Sequence, residues 1–212
     1  MITRKSSDQA KNQQEKDLSE IQIETHPLDP FLPSNALLLM LGSFPPPKIR
    51  WSIDFYYPNL NNDMWRIYGQ LFYDDKNYFL CKTIKKFDKD KITDFLSEKG
   101  IAIFDCAKSI RRLKHNASDN SLEIVEKVDV KELLKRISQC KAISTTGLKA
   151  TETTCCILGL KAIPQIGEYL EFSFENRNLR FYRMPSSSRA YPINIDRKAA
   201  TYRILFQDLK ML

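Results

Sequence analysis

Ala36-Leu37-Leu38-Leu39-Met40-Leu41, followed at once by Gly42-Ser43-Phe44-Pro45-Pro46-Pro47, is the stretch on which the fold turns. Six successive apolar residues without polar alternation fit a strand buried on both faces. The glycine and the proline run then end the strand and stiffen the chain beyond it. Strands of the same kind are expected at 101–104, 142–145 and 179–184, and helices at 64–73, 130–139, 148–158 and 197–209. Short apolar strands alternating with helices predict an α/β fold, a three-layer sandwich around a central, mainly parallel four-stranded sheet. Segments 169–174 and 179–183, joined by Glu175-Asn176-Arg177-Asn178, read as a hairpin that feeds the last strand.

The chain has 212 residues, 42% of them hydrophobic, enough for one large domain with a core. Residues 1–25 are polar and nearly free of aliphatic side chains before Ile21, so a solvated tail or marginal helix is expected there and a single domain over 26–212. The tail holds four basic and five acidic side chains; subtracting its −1 from the total of +7 leaves +8 on the rest. A basic folded body favours an anionic partner such as nucleic acid, although solubility alone also explains such a charge. Five cysteines, with no Cys-x-x-Cys pair and no histidine at ligand spacing, argue against a metal site. The odd count and the lack of a signal-peptide pattern fit a reducing cytoplasm. No apolar run approaches the roughly 20 residues of a membrane-spanning helix.

In an open α/β sheet the ligand site lies beyond the carboxyl ends of the strands. Segments 42–47, 105–109, 146–147 and 185–189 all fall there, so the strand ends at Leu41, Phe104, Thr145 and Met184 are expected to share one pocket. Neither a Walker-type phosphate loop nor a Gly-x-Gly-x-x-Gly pattern is present, which removes the main support for a nucleotide cofactor, and none is expected.

Several short motifs recur in a fixed order along the chain. Gly42-Ser43-Phe44-Pro45 gives a strand followed by Gly-x-x-Pro, and Met184-Pro185-Ser186-Ser187-Ser188 gives a strand ending in a Pro-Ser loop. Between them lie Tyr56-Tyr57 with Asn62-Asp63-Met64-Trp65, then 100–105, then Thr146-Gly147-Leu148-Lys149-Ala150. In these motifs the chain, over about residues 36–209, resembles the uracil-DNA glycosylase superfamily, and within it the branch associated with hypoxanthine and other deaminated bases. The resemblance implies a monofunctional DNA glycosylase, a monomer acting on DNA that carries a deaminated base and needing no cofactor.

The chemistry implied suits these residue types. Cleaving the base–sugar bond builds positive charge on the sugar and negative charge on the departing base. The site must therefore place water beside the sugar and donors beside the base. Asn62 is the first candidate for the catalytic amide, with Ser43 beside it, because a carboxamide orients water through its oxygen or donates through its nitrogen. A turn asparagine is the alternative. Gly42, Phe44, Phe55, Tyr56 and Tyr57 are candidates to hold an extruded base by stacking and close approach. Asp105 stands where the superfamily reads the base edge, and a carboxylate there accepts an N–H; capping the next helix is its other reading. Thr146, Lys149, Pro185, Ser186, Ser187, Ser188 and Arg189 resemble the loops that grip the DNA backbone, with a solvated turn as the plainer alternative. The run Arg111, Arg112, Lys114, His115 reads as a solvated face.

Phe44 stands where many superfamily members carry Asp or Asn, and Met184 where many carry His. These replacements keep two other readings open: a binding module of the same fold that does not cut, and an α/β enzyme for a small phosphorylated metabolite held by Ser43, Thr146 and the serine loop.

Overall fold

The computed structural model describes residues 22–113 and 121–212; the tail before residue 22, and Lys114 and His115, lie outside the described residues. Every residue of β2 (Leu38–Gly42), β3 (Ile101–Asp105) and β6 (Ala142–Thr146) is buried, as unbroken apolar strands covered on both faces require. With β8 (Arg177–Met184) and β7 (Tyr169–Phe174) they form one sheet in the order β3-β2-β6-β8-β7. The first four are mutually parallel, and β7 adds an antiparallel edge through the expected hairpin. The three-layer α/β architecture read from the sequence is therefore the observed one, with five strands in the sheet where four were expected because β7 joins as its edge.

The helices are α1 (Met64–Tyr73), α2 (Lys89–Lys99), α3 (Val130–Arg136), α4 (Leu148–Leu158) and α5 (Ile195–Asp208). Tyr68 of α1 joins α2 and α5 by edge-on contacts with Phe95 (5.9 Å between centroids) and Phe206 (5.2 Å). Its hydroxyl donates to Met40 Sδ, tying that layer to β2. On the other side α3 packs on α4, and α4 on β6. Between α2 and β3 the chain reverses at Gly100, whose φ of +66° disfavours a side chain, and a Cβ there would lie 2.6 Å from the Asn35 carbonyl oxygen.

Three features differ from expectation. Helix α2 was not foreseen, because its sequence Lys-Asp-Lys-Ile-Thr-Asp-Phe-Leu-Ser-Glu-Lys buries only Ile92, Phe95 and Leu96. A second, antiparallel sheet, β1 (Ile23–Thr25), β4 (Ala107–Arg112) and β5 (Leu122–Lys127), stands beside the first. It turns most of segment 105–109 from loop into strand, and it takes the end of the polar tail into a paired strand, with Ile23 opposite Arg111. Arg112 is accordingly no solvated residue. Its Nε and one terminal nitrogen donate to the two Glu24 carboxylate oxygens (2.9 and 3.0 Å), and the latter nitrogen also to the Pro45 carbonyl (3.2 Å). β1 is thereby clipped to the proline loop.

Candidate functional site

Parallel register brings the strand ends together. Gly42 lies beside Asp105, Leu41 beside Thr145, and Thr146 beside Met184. Beyond them opens a cleft of about 1030 Å³. Of the residues singled out from the sequence, Asn62, Ser43, Gly42, Phe44, Tyr56, Tyr57, Asp105, Thr146, Lys149, Pro185, Ser186, Ser187, Ser188 and Arg189 all line it. Phe55 does not. It is only 7% exposed and packs in the core against Phe31, Tyr56 and Trp65.

The floor is built around Asp105. Its Oδ2 accepts from His26 Nε2 at 2.9 Å, with the two side chains 8% and 3% exposed. The His26 ring is fixed by the Leu28 backbone at Nδ1 and by edge-on contact with Phe44, 5.3 Å between centroids. Oδ1 stands over Gly42, where any Cβ would run into it. The glycine thus admits the carboxylate to the strand end, and the helix-cap reading of Asp105 is replaced by this buried pair. Next to it, the Tyr56 hydroxyl donates to the Asp29 carbonyl (2.7 Å). Burial first, then the charges of Asp105 and Asp29, raise its pKa far above the ordinary phenol value, so it stays protonated as a fixed wall.

Tyr57 crosses the cleft differently. It takes φ = +48°, costly for an aromatic residue, and its hydroxyl lies 2.9 Å from Thr146 Oγ1. This hydrogen bond ties the aromatic loop to the end of β6 and offsets part of the backbone cost.

The remaining wall is made by the Asn-rich loop and the serine loop. Asn62 Oδ1 accepts from the Met64 N–H at 2.9 Å, an Asx turn that opens α1. The turn reading of Asn62 is therefore correct as far as the oxygen goes, while Nδ2 has no partner among the described residues. Since only the oxygen can accept from an N–H, the amide orientation is determined. Asn62 also bridges to Ser188, and the Asp63 N–H donates to the Ser187 carbonyl (2.8 Å). Behind them Asp63 receives Arg189 Nε at Oδ1 (2.8 Å) and Lys198 Nζ at Oδ2 (3.3 Å), and Nζ donates also to the Ser188 carbonyl (2.8 Å). Lys198 is 1% exposed, so this is a buried charge cluster that locks two loops together.

Ser187 is buried and serves the lock, while Ser186, Ser188 and Arg189 stand at the rim. Four cations line the cleft, Arg50, Lys149, Arg183 and Arg189, against one carboxylate, Asp105. His26, Arg50, Tyr191 and Lys198 were missed from the sequence. Only position supplied a signal, Arg50 lying just past the proline run and Tyr191 just past the serine loop; nothing local marks His26 or Lys198.

No family model matches the chain, and no curated protein matches it. Among solved structures, the solution NMR structure of a Methanosarcina acetivorans protein described as a "putative Uracil DNA glycosylase" is similar, with a TM-score of 0.62. The match covers 89% of this chain and 99% of that one at 22% identity. At that identity the shared property is the fold.

Proposed function

We propose that this chain is a monofunctional DNA glycosylase that hydrolyses the N-glycosidic bond of a deaminated base, uracil or hypoxanthine, as the first step of base excision repair. The observation that carries the reading is the meeting of four strand ends on one cationic cleft that holds both the Asn62 amide and the Asp105 carboxylate. Phosphates are drawn by Arg50, Lys149, Arg183 and Arg189, and the rim serines supply neutral hydrogen bonds to the backbone. The nucleotide is turned out of the duplex at a cost of a few kcal/mol and received between Tyr57 and Phe44. Asp105, accepting only, selects a base edge that presents an N–H. With its oxygen held by Met64, Asn62 acts through Nδ2, donating to the base as negative charge develops on it.

Duplex and single-stranded oligonucleotides containing uracil, hypoxanthine, xanthine or a G·T mismatch test this directly. Free base and alkali-labile sites are expected from uracil or hypoxanthine, and no release from any deaminated substrate would end the reading. A non-cutting DNA-binding module is the second reading, favoured by Phe44 and Met184 and by the engaged Asn62 oxygen. It requires salt-sensitive binding without abasic product.

A further inference from the structure

Beyond the serine loop, the surface continues into two adjoining depressions of about 460 and 590 Å³. Arg189 borders both of them and the cleft as well, and Arg66 borders the two depressions, so the three form one continuous track. The first is walled by the loop Lys82-Thr83-Ile84-Lys85, whose four residues are exposed and whose base is closed by the Leu80–Phe87 bridge and the Cys81–Lys86 hydrogen bond. The second has Lys76 on its edge.

The charges along this track are unbalanced. Asp63 is the one carboxylate lining the two depressions, and Lys198 and Arg189 already occupy both its oxygens. Among the described residues, Lys76, Lys82 and Lys85 pair with no carboxylate. Arg66 cannot swing away, since its guanidinium lies over Phe87 (5.3 Å) and donates to the carbonyls of Leu60 (3.0 Å) and Asn62 (3.3 Å). Burial, and then the charge of Arg189, lower its pKa. A held Arg66 with exposed, unbalanced lysines along one groove is an arrangement of like charges that an anion relieves.

We propose that these depressions are a second nucleic-acid contact, in which the strand leaving the cleft passes over Arg189 and lays its phosphodiester backbone against Arg66, Lys82 and Lys85. This rests on the DNA reading above but assigns a surface outside the cleft. The groove is lined by cations and by no aromatic side chain, so it takes backbone and reads no base. It lengthens the bound duplex on the side of Asn61 and sets the register of the strand relative to Asn62.

The test compares the parent protein with the Lys82→Ser/Lys85→Ser double variant, and with Lys131→Ser/Lys135→Ser on α3 as an equal charge loss on an element that lines none of the three depressions. Duplex affinity is measured over a range of salt, alongside base release from a uracil duplex. Two lost phosphate contacts lower the slope of log K against log salt by roughly 1.8, at about 0.9 per contact, and the α3 variant leaves the slope unchanged. An unchanged slope in the first variant, or an equal fall in both, overturns the proposal while leaving the cleft reading intact if the parent protein still releases base. A parent protein that neither binds nor cuts DNA removes both. Both lysine pairs are exposed, and matching unfolding midpoints verify that the variants are folded.

Discussion

On the strand-end wall of the cleft, Gly42, Asp105, Thr146 and Met184 are positioned by the hydrogen-bonded register of parallel strands, with His26 holding the carboxylate and Tyr57 meeting Thr146. On the other wall, Asn62 and the serine loop meet through a few backbone bonds, Asp63 N–H to the Ser187 carbonyl and Arg189 N–H to the Asn61 carbonyl, and side chains reinforce them, Asp63 to Lys198 and Arg189, across 126 to 135 residues of sequence. The first wall is maintained by many backbone bonds, none of them decisive alone. The second has few backbone bonds and adds to them a hold concentrated in three charged groups, so one substitution there weakens it most.

The largest effect is accordingly expected at the buried cation. Lys198→Met leaves Asp63 and the Ser188 carbonyl without Nζ, and breaking such a pair on one side costs about 3 kcal/mol. Urea unfolding measures it, and a midpoint equal to that of the parent protein would break the contrast between the walls. Combining the change with Asp63→Asn should cost less than the two separate losses added together, since both act on one cluster.

Asn62 comes next. Asn62→Ala is expected to slow single-turnover base release by about 100-fold, the scale of one donor acting on developing charge, while DNA affinity stays nearly constant. The alanine also removes the acceptor for the Met64 N–H, so stability falls by about 1 kcal/mol. Asn62→Asp separates the two roles, keeping the acceptor and losing Nδ2. A folded, stable Asp variant as slow as the Ala variant assigns the chemistry to the nitrogen; full activity in either variant removes Asn62 from it.

The same contrast explains what the sequence could and could not reveal. Runs such as 36–41 and 101–104 are fully apolar, so the central strands, their parallel pairing and the location of the cleft followed from hydrophobic pattern and the strand-end rule. Strand β4 reads Ala-Lys-Ser-Ile-Arg-Arg, with its inward positions too few to stand out beside three basic residues, and β1 is three residues long. Their pairing depends on partners distant in sequence. The Asp63–Lys198 lock was illegible for a similar reason: a lysine in a helix reads as solvent-facing until the loops packed over it are known. Phe55 shows the opposite error, an aromatic in the right segment whose side chain turns to the core.

A smaller effect is expected where the strand-end wall is tightest. Gly42→Ala places a methyl group against Asp105 Oδ1 and 3.1 Å from the Tyr57 hydroxyl. Overpacking of this kind costs about 1–2 kcal/mol, and the displaced carboxylate should lower base release with little change in DNA affinity. Wild-type stability and activity in this variant would show that the floor around Asp105 gives way easily, contrary to its backbone-set character.

The smallest expected change tests whether the lock and the ligand share a residue. Arg189 Nε donates to Asp63, yet the side chain is 48% exposed at the rim, so the outer guanidinium nitrogens remain available to a phosphate while the carboxylate aims them. If that is how the residue works, Arg189→Ala lowers the salt slope of DNA binding by about 0.9, the value for one phosphate contact, on every duplex sequence alike. Stability should fall less than in Lys198→Met, because Lys198 keeps Asp63 paired inside. Arg189→Lys discriminates further: it restores the charge and part of the slope, but a lysine has no fork to bond Asp63 and phosphate together. An unchanged slope in Arg189→Ala, with a loss of stability as large as that of Lys198→Met, would make Arg189 part of the lock alone and move the phosphate contact to Lys149 or Arg50.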